Sequence, residues 1–174
     1  MQAAIRAYGD QDLVAVARLW LESWQSTGLP VAQLATDAAN KERISRELTG
    51  GWSVFLACNE NEDLLGFLAL KPDSACLDQL FVAPAVQRQG IGRALLDFAK
   101  QQMTNGIWLR TAVDNVGACR FYERNGFRAC EIGVHPTLGH RTVVYRWPEF
   151  LSSATSLRPL EPPPRRMRRA MDQR

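Results

Sequence analysis

The sequence is short of histidine. His135 and His140 are its two, both late in the chain and neither in an HExxH or comparable spacing. Its four cysteines, Cys58, Cys76, Cys119 and Cys130, form no CxxC pair and share no zinc-like spacing with the histidines. They read as reduced thiols packed as small hydrophobes, and no metal is expected. Long apolar runs are missing too. The longest helical one, LVAVARLWL, is interrupted by Arg18 and far too short to span a bilayer. The opening QAAIRAYGDQD is short, mixed and charged, unlike a secretory leader. The expectation for 174 residues is one soluble cytoplasmic domain with a buried core and no membrane partner.

A one-signed charge is also absent from most of the chain. The formal charge is +3, but Arg158–Arg174 holds six arginines against Glu161 and Asp172, a net of +4, which leaves residues 1–157 at −1. A nearly neutral body argues against a nucleic-acid-binding domain. The tail is rich in Ser, Pro and Arg and has no apolar period, so residues 1–150 are expected to form the domain and 151–174 a flexible extension.

Periodicity and punctuation give the elements. Ala3–Ala7 reads as a strand, with Gly9-Asp10 capping a helix that carries Leu13, Val16, Ala17, Trp20 and Trp24 on one face as far as Gln25. Gly28-Leu29-Pro30 ends it. A more polar helix is expected from a Thr36 cap to Leu48, stopped by Gly50-Gly51. Strands follow at 52–58, 64–70 and 75–82, joined by the polar turns NENED and KPDS and so antiparallel. A helix from Ile91 to near Asn105-Gly106, a strand at 107–113, a helix at 116–125, and strands at 127–134 and 141–147 complete the pattern. The strand–helix–strand run from 75 to 113 requires a right-handed parallel crossover. The fold class is therefore α/β, with a mixed sheet of six to seven strands and helices on its faces.

QRQGIGRALL, residues 87–96, sets Gly90 and Gly92 at the start of an apolar helix. Unpaired N–H groups and a positive dipole end make such a place an anion site, and glycine lets a phosphate approach the amides. Arg88 and Arg93 flank it. A P-loop would need Gly-Lys-Ser/Thr, which is absent. A dinucleotide fingerprint would need a glycine at Leu95 and a turn directly after the strand, whereas AVQRQG intervenes after Pro84; Asp114 stands at a suggestive distance but does not carry that fingerprint alone.

LFVAPAVQRQGIGRALLDFA closely resembles the acetyl-coenzyme A motif of the GCN5-related N-acetyltransferase superfamily, with Gln87, Gly90 and Gly92 on its Arg/Gln-x-x-Gly-x-Gly/Ala positions. NVGACRFYERNGF, about 25 residues on, resembles that family's second motif at Asn115, Ala118, Phe121, Tyr122, Gly126 and Phe127. The resemblance spans residues 3–147. It implies a mostly antiparallel sheet with one splayed parallel pair, and a direct attack of an acceptor amine on the thioester of acetyl-CoA.

It also implies where the coenzyme lies. Its pyrophosphate would rest on Gln89, Gly90, Ile91, Gly92, Arg93 and Ala94, beside Gln87 and Arg88. Its pantetheine would run along Leu80, Phe81 and Val82, with Asn115 and Phe121 close by. The Val82 N–H would polarise the acetyl carbonyl, and Tyr122 would protonate the departing sulfur.

Many relatives carry a glutamate base where this chain has Cys76. Asp78, two residues along on the same strand face, is the substitute candidate, with His135 and His140 behind it. Trp24, Glu22 and Asp37 are candidates for an aromatic, acidic amine pocket. The expected partners are acetyl-CoA and an amine acceptor, either a small molecule or a protein amine; a homodimer is left open. Two other classes stay open: an acyl-CoA sensor without catalysis, prompted by Cys76, and a nucleic-acid binder acting through the arginine tail.

Overall fold

The computed structural model describes residues 3–29, 36–135 and 138–148; the expected tail and the Pro30 breaker lie outside the described residues. In chain order the elements are β1 (Ala4–Ala7), α1 (Leu13–Gln25), α2 (Asp37–Thr49), β2 (Ser53–Cys58), β3 (Leu64–Lys71), β4 (Cys76–Val82), α3 (Ile91–Gln102), β5 (Ile107–Ala112), α4 (Val116–Arg124), β6 (Arg128–Val134) and β7 (Arg141–Trp147). The strands form one sheet in the order β1-β2-β3-β4-β5-β7-β6. All neighbours are antiparallel except β4 and β5, the pair joined by the α3 crossover.

Local chemistry explains the boundaries. Thr36 caps α2 by accepting from the Ala39 N–H at 3.1 Å, and Gly28, past the end of α1, takes a φ of +68°. Before α1, Asp12 accepts two bonds from the Arg6 guanidinium (2.8 and 2.9 Å) and one from the Gly9 N–H (2.9 Å), tying β1 to the helix entry.

Each face of the sheet buries its own core. Val16, Ala17 and Trp20 of α1 and Ile44 of α2 pack on Leu56, Phe67 and Ala69. On the other face, Ile91, Leu95, Leu96 and Ala99 of α3 pack with Leu68, Leu70, Leu109, Tyr122 and Tyr145. Leu95 and Leu96 are 0% exposed, so truncating either to Ala removes about 2–5 kcal/mol of stability. β3 is apolar on both faces because helices cover both. Gly66 sits where it must: a Cβ there would stand 2.7 Å from the Phe81 carbonyl oxygen and 3.2 Å from Leu95 Cδ1.

Candidate active site

β4 and β5 share a single rung, Cys76 opposite Trp108, and then part. The outer edge of each remains paired, β4 with β3 and β5 with β7. Beyond the rung their inner edges face a wedge with unpaired backbone groups, which an extended ligand can satisfy as an added strand.

At the end of β4 the Ala83 N–H bonds back to Leu65 O of β3 at 2.8 Å. Successive residues of a strand address opposite edges, so the Val82 N–H points into the wedge. Val82 itself is held firmly. Its carbonyl accepts from Ser23 Oγ of α1 at 3.1 Å and from Gln87 Nε2 at 3.2 Å. Gln87 thus spends its side chain fixing the strand end.

From Val82 the chain passes through a short 3-10 turn, Pro84–Val86, to α3. Gly90 caps that helix with φ +90° and no side-chain hydrogen bond, and a Cβ on it would meet nothing within 4 Å. Its glycine is required by the backbone angle, which an L side chain rarely adopts. Gly92 is different. A Cβ there would lie 3.5 Å from Val82 Cγ2 and 3.6 Å from Phe121 Cζ, on the side of the helix that meets the wedge.

The first acceptor of α3 is Gly90 O, bonded by the Ala94 N–H at 2.9 Å. The N–H groups of Ile91, Gly92 and Arg93 therefore have no intrahelical acceptor. Arg88 (φ +62°), Gln89 and Gly90 are exposed beside them. Ile91 is 2% exposed and can offer only its backbone. Arg93 pairs with Asp97 at 3.2 Å, so its charge is partly engaged along its own helix.

The opposite wall comes from α4. Asn115 Oδ1 caps that helix by accepting from the Ala118 N–H at 3.1 Å. Phe121 meets Tyr122 edge-on, with ring centroids 5.3 Å apart. Tyr122 is 7% exposed and also touches the rings of Phe127 (5.6 Å) and Tyr145 (6.0 Å). Burial raises its pKa well above the ordinary tyrosine value, with a smaller push from Cys119, so it stays protonated across the neutral range. Among the described residues its hydroxyl has no hydrogen-bond partner.

On the α1–α2 face, the β3–β4 register slips by one residue at Asp78, a bulge that turns both Asp78 and Gln79 toward α2. Asp78 Oδ2 accepts from Trp52 Nε1 (3.1 Å) and Gln79 Nε2 (3.2 Å) and pairs with Arg43 (3.5 Å). Oδ1 has no partner among the described residues. Arg43 lies over Trp20 and Trp52, 5.1 and 5.9 Å from their centroids. Cys76 is 4% exposed, and burial followed by the Asp78 charge pushes its thiol up to about 12, which rules it out as a base at neutral pH.

Other expectations come apart here. Glu22 pairs with Arg18 at 2.9 Å and Asp37 with Lys41, each along its own helix, while Trp24 packs edge-on against Phe81 at 6.0 Å. Each of the three candidates for an amine pocket thus has a partner of its own. His135 uses Nδ1 to accept from the Leu138 N–H at 3.1 Å and stacks on His140 at 5.1 Å. Burial, then the charges of His140, Arg110 and Arg43, lower its pKa. Trp52, Arg43, Gln79 and Ser23 carry site geometry that the sequence did not announce.

A sheet parted beside a glycine-capped, anion-ready helix end defines a coenzyme A-dependent acyltransferase framework. A family model described as the acetyltransferase (GNAT) family matches residues 13–127. The peptidyl-lysine N-acetyltransferase YiaC of Escherichia coli is 30% identical over 148 residues, covering 83% of this chain and 96% of that protein. A GNAT-family acetyltransferase of Staphylococcus aureus superposes with a TM-score of 0.67 at 23% identity, over 83% of this chain and 98% of the other. The Thermoplasma acidophilum PaiA N-acetyltransferase, solved with coenzyme A, gives 0.64 at 23%, over 84% and 98%; both likenesses concern the fold.

The chain belongs to the GNAT acetyltransferase family. Its activity is N-acetyl transfer from acetyl-CoA. Among the described residues no group of three or more His, Cys, Asp or Glu is placed to hold a metal, and no helix is long and apolar enough to cross a membrane.

Proposed function

We propose that this protein transfers acetyl from acetyl-CoA to a primary amine by direct attack within a ternary complex, through residues of the domain spanning 1–150. The observation that carries the reading is the β4–β5 wedge, closed by one rung at one end and bordered by the Gly90 helix cap at the other. The pyrophosphate accepts from the free N–H groups between Gln89 and Ala94, with Arg88 adding charge. The pantetheine pairs with the inner edge of β4 at Leu80–Val82, flanked by Phe121 and by Asn115 at the mouth of α4; Phe81 keeps its ring in the α1-side core.

The amine nitrogen attacks the thioester carbonyl carbon while the Val82 N–H stabilises the developing oxyanion. The C–S bond breaks, and the sulfur takes its proton from the Tyr122 hydroxyl, which has no competing partner among the described residues. The proton lost by the amine goes to Asp78 Oδ1, the open oxygen of a carboxylate held in place through its other one. Lysine side chains belong among the acceptors to be tried, since YiaC carries peptidyl-lysine in its name.

The test is amine-dependent release of free thiol from acetyl-CoA across amino acids, polyamines and lysine peptides. Coenzyme binding with no release on any amine favours the second reading, an acyl-CoA sensor. That reading draws on the buried thiol of Cys76 at the position where many relatives place a base.

A further inference from the structure

The wall of the wedge facing Asp78 is cationic. Arg110 stands on β5 two residues beyond Trp108, as Asp78 stands on β4 two residues beyond Cys76, so the two flank the split just past its single rung. Leu109 belongs to the α3-side core, and side chains alternate along a strand, so Arg110 projects on the same face to which Asp78 turns. It is exposed and has no hydrogen-bond or ion-pair partner among the described residues.

Two observations add to this asymmetry. Arg43 brings a guanidinium from α2 to within 3.5 Å of Asp78 Oδ2. Also, the charges of Arg110 and Arg43 both lower the His135 pKa, so His135 lies within electrostatic reach of both guanidiniums. In the β6–β7 turn His140 Nδ1 is buried without a partner. The open Asp78 oxygen and the Arg110 guanidinium therefore stand on opposite sides of the β4–β5 split, just past its rung.

We propose that the acceptor is a free α-amino acid, or a small amine with a carboxylate as close to its nitrogen. Asp78 Oδ1 takes the ammonium end and Arg110 takes the carboxylate by a charge-assisted, fork-shaped contact. This rests on the acetyl-transfer reading above and deepens it. A lysine side chain within a peptide carries no such carboxylate and leaves Arg110 unanswered.

The experiment compares L-amino acids with their carboxamides and with lysine peptides by thiol release, corrected for the neutral-amine fraction, in the wild type, R110Q and R110K. We expect kcat/KM to favour the free acids about 10- to 10²-fold over the carboxamides, mostly in KM. R110Q should collapse that ratio toward one, and R110K should retain part of it. Equal rates on acid and carboxamide, or best turnover on internal lysines, overturn the inference while leaving the acetyl transfer intact. No turnover on any amine, with coenzyme still binding, overturns the transfer reading and this inference together. Should R110Q not fold, the wild-type ratio alone decides.

Discussion

Replacing Tyr122 with Phe separates a catalytic hydroxyl from a core ring. The ring sits among Phe121, Phe127 and Tyr145 at 5.3 to 6.0 Å, and Phe keeps all three contacts. The hydroxyl has no described protein partner. Among the described residues the hydroxyl is not one of the buried, unpartnered polar atoms, so deleting it relieves no desolvation penalty and Y122F should be about as stable as the wild type.

Coenzyme affinity should hardly change. The loss belongs in kcat, about 10- to 10³-fold, since a departing thiolate, with a pKa near 8.5, gains from a proton but does not strictly need one. The assay is thiol release at saturating acetyl-CoA and amine, with denaturant unfolding alongside. A second signature follows from burial. The folded pKa of Tyr122 lies above its unfolded value near 10.0, so its stability contribution is complete below that value and is lost as pH rises past it. Y122F should lose less stability on the alkaline side. A kcat within about twofold of wild type, with chemistry limiting the rate, would refute the acid role and leave Tyr122 as packing.

Three other outcomes are expected. Gly92→Glu drives a side chain toward Val82 and Phe121 and puts a negative charge beside the pyrophosphate, so calorimetric titration should show coenzyme A binding abolished in a folded protein. Asp78→Asn should cut kcat/KM by about 10²-fold or more, whereas Trp52→Phe, which removes one donor to Oδ2, should cost much less. Asp12 is held below its ordinary value chiefly by the Arg6 hydrogen bonds. Its contribution is therefore present above the unfolded value and lost as pH falls through the lowered one, and D12N should flatten the fall of melting temperature below about pH 4.

Glycine, proline and apolar spacing mark the helices and strands closely: the last strand is expected at 141–147 and found at Arg141–Trp147, and Thr36 caps where a cap is expected. The site is legible only where a backbone requirement shows as a residue type. Gly90 is such a case, because φ +90° excludes ordinary side chains.

The acceptor side is different. Alternation puts Asp78 on the face of Cys76, but nothing in CLDQLFV signals the bulge that brings Gln79 there too. Arg43 reads as one more charge on a polar helix, yet it lies on two tryptophans and pairs with Asp78. The pairing of Glu22 and Asp37, the carboxylates expected to line an acidic pocket, was visible beforehand. Arg18 and Lys41 stand four residues away along the same helices, and neighbours at that spacing pair first.

The most direct measurement of the central claim is free-thiol release from acetyl-CoA on mixing with an amine panel, with the N-acetyl product weighed by mass spectrometry. The account predicts release that requires the amine, matches the product one for one, and disappears in Gly92→Glu. Tight coenzyme binding with no amine-dependent release on any acceptor would contradict it.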